Sequence, residues 1–172
     1  MHPTRKPNRL KDYDYSQSGL YFVTSCVQDM VCCFGKIINN KMVLNDYGKI
    51  AEQQWYWLAQ QYPYVVLHSF VVMPNHMHGI IEIAEAGSNV SQEQPAIKIK
   101  SISELMGAYK TTSSKQIHLL SALDTSRCLG KIPFKWQRSF HDHIIRDELS
   151  YFNISYYIEN NPANWKGDKF FN

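Results

Sequence analysis

Short apolar runs separated by polar segments dominate the pattern of the chain. Several runs are rich in β-branched and aromatic residues, which favour strands because they fit a pleated, half-buried surface. The pairs Asn39-Asn40 and Pro74-Asn75 lie between such runs and are typical of turns. The pattern predicts strands at 19–27, on both sides of the Asn39-Asn40 turn within 34–44, and at 64–72, 76–83 and 134–145.

Three longer segments begin with residues that cap helices. Asn45 or Asp46 can cap a helix that runs to about residue 61. The sequence Ser101-Ile-Ser-Glu104 is a capping box and predicts a second helix through about residue 120. Asp147 predicts the start of a third helix, which Pro162 closes because proline cannot continue a helix.

The resulting order, β-β-β-α-β-β-α-β-α, has strands that are mostly adjacent in sequence. Such an order predicts an α+β fold with a largely antiparallel sheet covered by helices. A length of 172 residues fits one domain, with a polar N-terminal arm at about 1–17 and a flexible loop at about 85–98. No apolar stretch is long enough for a membrane span, and we expect a cytoplasmic protein that does not engage membranes.

Basic residues are concentrated in the second half of the chain. Between Lys98 and Arg146 there are nine basic residues against three acidic ones, and the first eleven residues add four basic residues and no acid. This asymmetry favours a partner with a phosphate backbone, because each neutralised phosphate releases counterions. A solvated basic face without a partner is the alternative. The four cysteines show no zinc-binding spacing.

Two histidines lie one residue apart in the apolar run VVMPNHMHGIIEI. Side chains at i and i+2 of a strand project to the same side, so His76 and His78 can present two ring nitrogens to one divalent cation. The alternative is that one histidine caps the turn through Asn75 and the other is a half-buried sheet residue hydrogen-bonded to the backbone. A metal site needs a third ligand, which no nearby residue of the same strand supplies.

The third predicted helix offers such a ligand. Asn153, Tyr157 and Asn161 lie at i, i+4 and i+8, which places them in one row along a helix face. A carboxamide oxygen of Asn161 can complete the ligand set of a metal, and the phenol of Tyr157 would then lie near that metal. The alternative for Tyr157 is an ordinary core aromatic residue with a satisfied hydroxyl.

The sequence PNHMH, followed by a distant YIENNP helix, resembles the HUH single-tyrosine transposases of bacterial insertion sequences, in particular the REP-associated tyrosine transposases. The resemblance includes a third segment, which contains Trp136-Gln137-Arg138 and His143-Ile144-Ile145-Arg146. Many relatives carry aromatic residues where this chain has Ser139-Phe140-His141-Asp142, which bears on how DNA is held there. The resemblance covers roughly residues 18–165 and implies a ferredoxin-like or RRM-like fold.

The resemblance also implies an activity. His76, His78 and Asn161 would bind Mg²⁺ or Mn²⁺, and Tyr157 would attack single-stranded or hairpin DNA to form a covalent 5′-phosphotyrosine intermediate. A DNA 3′-hydroxyl would then rejoin the strands. Some relatives are homodimers that share active sites, whereas others act as monomers. The alternatives are a transposase-derived protein that processes repeats or only binds DNA, and a metal-dependent nuclease that uses water.

Candidate DNA contacts lie in the basic half of the chain. The second helix has a hydroxyl-rich stretch, 111–114, between Lys110 and Lys115, and we expect it to contact phosphates. Arg138 and Arg146 are further cationic candidates. Trp136 is expected to be exposed and to stack on unpaired bases.

Overall fold

A computed structural model describes residues 13–85, 98–123 and 133–171. Four strands form the main sheet in the order β4-β5-β1-β6, and all neighbouring pairs are antiparallel. A separate two-stranded hairpin, β2-β3, follows β1. The strands are β1 (Gly19–Cys26), β2 (Gly35–Ile38), β3 (Lys41–Leu44), β4 (Val65–Val72), β5 (His76–Ile83) and β6 (His141–Ile145). The helices are α1 (Asp46–Gln61), α2 (Ile102–Leu123) and α3 (Glu148–Asn160).

This topology confirms the predicted α+β, ferredoxin-like class. When the β2-β3 hairpin and α3 are set aside, the chain runs β1-α1-β4-β5-α2-β6, and the two central strands are β1 and β5. The predicted order of all nine elements is confirmed. No helix in the described ranges is long and apolar enough to cross a membrane.

The predicted turns and caps form as expected from local chemistry. Asn39 and Asn40 have φ of 49° and 60°, the left-handed conformation that a tight hairpin turn requires. The side chain of Asn45 accepts a hydrogen bond from the Gly48 amide at the start of α1. Asp147 accepts one from the Ser150 amide at the start of α3.

The capping box at the start of α2 is also present. The Ser101 amide donates to Glu104 Oε2 at 2.9 Å, and the Glu104 amide donates to Ser101 Oγ at 3.4 Å. The two largest differences from the predicted boundaries are that α2 continues to Leu123 and that the last strand begins at His141. The segment before β6 departs from regular pairing and forms one isolated bridge, between Trp136 and Val27. Most of the predicted arm and of the predicted 85–98 loop lies outside the described residues.

The two faces of the sheet have different coverings. Helices α1 and α2 pack on one face, where Tyr21, Trp55 and Ile81 belong to the main buried core. Helix α3 packs on the other face over a smaller cluster with Ile80 and Ile158 at its centre. Alternate residues of β5 therefore point to opposite cores, and the histidines share the α3 face with Ile80.

Polar contacts fix α3 to the outer part of the sheet. His68 of β4 bonds Tyr151 Oη through Nδ1 at 3.1 Å and Glu82 of β5 through Nε2 at 2.8 Å. Ser69 donates to Glu159 Oε1 at 3.1 Å. These contacts set the position of the helix that carries Tyr157.

Gly79 provides a test of packing between β5 and α1. An added Cβ would lie 2.6 Å from Cζ2 of Trp55, a side chain with no exposed surface, so Gly79→Ala must displace a buried indole. We expect a loss of about 1–3 kcal/mol in the free energy of unfolding, measured by urea denaturation. Gly107→Ala is the control, because nothing lies within 4 Å of its added Cβ and alanine favours helix. Equal stability of Gly79→Ala and the wild type would contradict this packing.

Candidate metal and tyrosine site

Strand alternation places His76 and His78 together on the α3 face of the sheet. Both side chains are buried, and their Nε2 atoms lie 3.0 Å apart. Two ligands that bind one ion at right angles and at about 2.1 Å each are roughly 3.0 Å apart, so this spacing fits a shared cation. The predicted approach of the two imidazoles is therefore present in the structure.

The outer nitrogens of both rings have partners that can accept a hydrogen bond. His76 Nδ1 lies 2.8 Å from Asn75 Oδ1, and His78 Nδ1 lies 2.7 Å from Thr24 Oγ1. Asn75 is held in this orientation because its amide nitrogen donates to the carbonyls of Met30 and Phe170. With each Nδ1 donating outward, both Nε2 lone pairs are free for a metal, as is usual for ligating histidines.

Burial keeps these imidazoles neutral. It lowers the pKa of His76 to about 4, although the carboxylate of Asp168 works in the opposite direction. Burial also lowers the pKa of His78 well below its ordinary value, and His76 adds to this effect. Neutral imidazole is the form that binds metals, so both rings are ready as ligands at neutral pH.

Tyr157 of α3 lies directly beside this pair. Its hydroxyl is 3.2 Å from His78 Nε2 and donates to Asp168 Oδ2 at 3.1 Å, and the side chain is 39% exposed. Partial burial, followed by the charge of Asp168, raises the pKa of Tyr157 to about 12. The hydroxyl is therefore a phenol at neutral pH in the absence of a cation.

Asp168 is a residue of the site that sequence reasoning missed. It follows a short 3₁₀ turn, Trp165–Gly167, after the end of α3. Its Oδ2 atom accepts hydrogen bonds from Tyr157 and from the Asn161 amide, the latter at 2.9 Å. One ligand atom each from His76, His78 and Asp168 lie within 4.8 Å of one another, so these three residues can hold a metal. A lone aspartate outside the recognised motif has no distinguishing sequence pattern.

Asn161 lies at the C-terminal cap of α3 and is buried. Its amide nitrogen is engaged by Asp168, but its Oδ1 atom is buried without a hydrogen-bond partner. An unpaired buried acceptor costs about 1–3 kcal/mol, and coordination of a cation would satisfy it. The ring of Phe170 covers the histidines, with centroids 4.6 Å from His76 and 5.8 Å from His78.

The expected DNA contacts divide into two groups. Lys115, Arg138 and Arg146 are exposed. Lys110 is instead tied to the protein, because its Nζ atom donates to the carbonyls of Gln137 at 3.0 Å and Ser139 at 2.8 Å.

The expected exposure of Trp136 is wrong. Its side chain is 4% exposed, and its indole nitrogen donates to Ser113 Oγ at 2.9 Å, so its ring faces are packed in the core and not available for stacking on bases. The hydroxyls of Thr112 and Ser113 donate to backbone carbonyls one turn earlier in α2. These two hydroxyls stabilise the helix and the core instead of meeting phosphates.

Comparison with known proteins finds relatives of this chain in sequence and in fold. No protein-family model matches the chain. An uncharacterised protein of Haemophilus influenzae is 38% identical over 168 residues, which cover 97% of this chain and 93% of that protein. A second protein of the same organism, whose name assigns it to the REP-associated tyrosine transposases, is 26% identical over 151 residues, covering 87% of this chain and 73% of that protein.

A solved structure shares the fold of this chain. A REP-associated tyrosine transposase bound to a REP hairpin aligns with a TM-score of 0.58 and 19% identity, covering 94% of this chain and 76% of that one. The two proteins thus share a fold over nearly the whole chain. The relative that is 26% identical carries the same kind of name. The chain is thus similar in sequence to a protein named as a REP-associated tyrosine transposase and shares its fold with a solved REP-associated tyrosine transposase.

Proposed function

We propose that this protein cleaves and rejoins single-stranded DNA through a covalent 5′-phosphotyrosine at Tyr157, in a reaction that depends on a divalent cation. The observation that carries the proposal is the 3.2 Å distance between the Tyr157 hydroxyl and Nε2 of the buried, neutral His78. A cation held by the two imidazole nitrogens could bind the scissile phosphate, which is the electrophile. The Tyr157 phenol, the nucleophile, would then lie next to that phosphate.

Tyr157 would act as the nucleophile. Its oxygen forms a bond to the phosphorus of the scissile phosphodiester, and the bond from that phosphorus to the 3′-oxygen breaks. The 3′-oxygen leaves with a proton as a hydroxyl, and the 5′-phosphate stays on the tyrosine. Attack by a 3′-hydroxyl on the phosphotyrosine reverses these bond changes and rejoins DNA without an external energy source.

Asp168 is the nearest acceptor for the proton of the phenol, since Oδ2 already receives its hydrogen bond at 3.1 Å. Because the pKa of the Tyr157 phenol is raised to about 12, its proton would move to the carboxylate only as the oxygen–phosphorus bond forms. Exposure of 39% leaves the Tyr157 ring accessible to a DNA strand.

His76 and His78 would hold the cation through Nε2, and Asn161 Oδ1 and the Asp168 carboxylate would complete the set. Bound there, Mg²⁺ or Mn²⁺ would polarise the scissile phosphate and stabilise the charge that develops on its oxygens. Imidazole suits Mn²⁺ better than Mg²⁺, whereas the two oxygen donors suit both ions. The fit rests on the 3.0 Å nitrogen separation and on the unpartnered Asn161 oxygen.

Single-stranded or hairpin DNA is the proposed substrate. Lys115, Arg138 and Arg146 are exposed cations that can meet its phosphates. The transposase that shares this fold is bound to a REP hairpin. A homodimer stays a prediction of the sequence resemblance.

Covalent capture tests the nucleophile. The wild-type protein, incubated with Mn²⁺ and a 5′-tailed hairpin DNA labelled on the fragment that carries the new 5′-phosphate, should form an adduct that survives denaturing electrophoresis. Tyr157→Phe should lose at least 1,000-fold in adduct formation, roughly 4 kcal/mol of barrier, because it lacks the attacking oxygen. Tyr156→Phe is the matched control, since this neighbouring residue is 69% exposed. An adduct that persists in Tyr157→Phe contradicts the assignment, and cleavage without any adduct indicates a water nucleophile.

Calorimetric titration of the metal-free protein with Mn²⁺ tests the ligands. His76→Ala should abolish Mn²⁺ binding at the two histidines. Asp168→Asn and Asn161→Ala should each weaken the Mn²⁺ affinity by about 10–100-fold. Glu148→Gln is a control that removes an exposed acidic group from the first turn of α3. Wild-type affinity in Asp168→Asn would remove Asp168 from the ligand set, and wild-type affinity in His76→Ala would place the cation elsewhere.

A further inference from the structure

Two consecutive residues of β4, His68 and Ser69, both contact α3. In a regular strand successive side chains point to opposite faces, so only one of the two would reach the helix. The pairing of β4 with β5 explains the exception, because three positions of β4, from Leu67 to Phe70, span only two positions of β5. The extra residue makes this part of β4 a β-bulge.

The bulge keeps the rest of β4 in phase with the two cores. Leu67 before it and Phe70 after it both pack against the core that α1 and α2 cover, although they are three positions apart. Val71 then packs against the smaller cluster on the α3 face. The bulge therefore adds a second polar side chain to the α3 face without disturbing the alternation of the apolar ones.

His68 is the centre of a chain of hydrogen bonds on this face. Its Nε2 atom donates to the Glu82 carboxylate at 2.8 Å, because a carboxylate can only accept. In the neutral ring Nδ1 is then an acceptor, and the Tyr151 hydroxyl donates to it at 3.1 Å. Glu82 thus fixes the orientation of the imidazole, and the imidazole fixes Tyr151 of α3.

The two bulge contacts lie on either side of Tyr157 along α3. His68 meets the helix at Tyr151, six residues before the proposed nucleophile. Ser69 donates to Glu159, two residues after it, at 3.1 Å. Contacts eight residues apart on a helix are separated by about 12 Å along its axis. Two contacts at this spacing restrain both the tilt of α3 and its rotation, which a single contact does not.

Apolar packing alone gives α3 little restraint. Ile158 is the only buried residue among the 13 of this helix, all of which the structure describes. Among the described residues, its cluster has two further buried members, Ile80 and Ile145. A nucleophile must meet its phosphate in a defined geometry, since a displacement of about 1 Å can cost about 100-fold in rate. The polar contacts of the bulge supply restraint that this small cluster lacks.

We propose that His68 and Ser69 are positioning residues for the reaction, which hold α3 so that the Tyr157 hydroxyl stays beside His78. The inference rests on the proposed function for the role of Tyr157. Both residues act through the helix, and their effect is therefore on the rate of attack and not on the binding of DNA or of the cation.

The test uses the double variant Tyr151→Phe, Ser69→Ala, which removes one hydroxyl at each contact and keeps the aromatic ring that packs in the apolar cluster. The single-turnover rate of adduct formation at saturating hairpin DNA and Mn²⁺ should fall by about 10–100-fold. The affinities for DNA and for Mn²⁺ should stay within about twofold, because no proposed ligand is changed. Hydrogen exchange of the α3 amides should accelerate by about tenfold or more, with α1 and α2 unchanged.

Two further variants separate positioning from a general loss of stability. Ser101→Ala removes the side-chain cap of α2 on the other face of the sheet, so it should lower global stability and leave the adduct rate within about twofold. Glu159→Gln keeps an acceptor oxygen for the Ser69 hydroxyl and should retain the rate within about threefold, whereas Glu159→Ala should lose about tenfold.

The outcomes distinguish the role of the bulge from the chemistry. A wild-type adduct rate in the double variant, with faster exchange in α3, overturns the proposal, because the helix then moves without consequence. An equal fall of the rate in Ser101→Ala also overturns it, and so does unchanged exchange of α3. If the wild type forms no adduct, the proposed chemistry is wrong, and faster exchange confined to α3 in the double variant still supports the bulge as the device that holds this helix.

Discussion

The approach of two buried imidazoles to 3.0 Å is the contact on which the rest of the site depends. It follows from the period of two in β5, since only alternate residues of a strand share a face. The register of β5 with β1 then places Thr24 opposite His78, where its hydroxyl meets the outer ring nitrogen. A shift of one residue in this register would turn both histidines toward α1 and α2 and dismantle the site.

The electrostatics around this pair favour the entry of a cation. Burial suppresses protonation of the histidines, so they do not repel a metal ion. Asp168 contributes negative charge, and this charge adds to the effect of burial, which raises the pKa of the neighbouring Tyr157 phenol and keeps it protonated. A cation between these groups would offset both effects, because it compensates the carboxylate and favours a phenolate. In the proposed mechanism, one aspartate would therefore couple the cation to the nucleophile.

Local chemistry made much of the fold predictable. Asn45, Glu104 and Asp147 act through neighbours within four positions, and their caps form as the sequence indicates. The approach of His76 and His78 was predictable for the same reason, as it depends on strand geometry alone. The placement of Tyr157 and Asn161 on one helix row was also local, whereas the approach of Tyr157 to His78 depends on how α3 packs on the sheet.

The residues that were misjudged depend on long-range packing. Trp136 is buried in the core, where its indole nitrogen donates a hydrogen bond to Ser113, a residue 23 positions earlier and on another element. Asp168 reaches the histidines only because the chain turns back after α3, a path that no periodic pattern encodes. Lys110 belongs to a stretch of lysines and hydroxyls that is typical of phosphate contacts. Its ammonium group instead donates hydrogen bonds to the carbonyls of Gln137 and Ser139, which are distant in sequence. Spatial neighbours decide such roles, and local sequence does not specify them.

The position of a bound metal tests this account most directly. Anomalous diffraction from crystals of the protein soaked in Mn²⁺ should show a peak about 2.1–2.2 Å from both Nε2 atoms of His76 and His78, with Tyr157 beside it. A manganese peak elsewhere, with the two imidazoles still in contact with each other, would contradict the claim that this pair is the cation site.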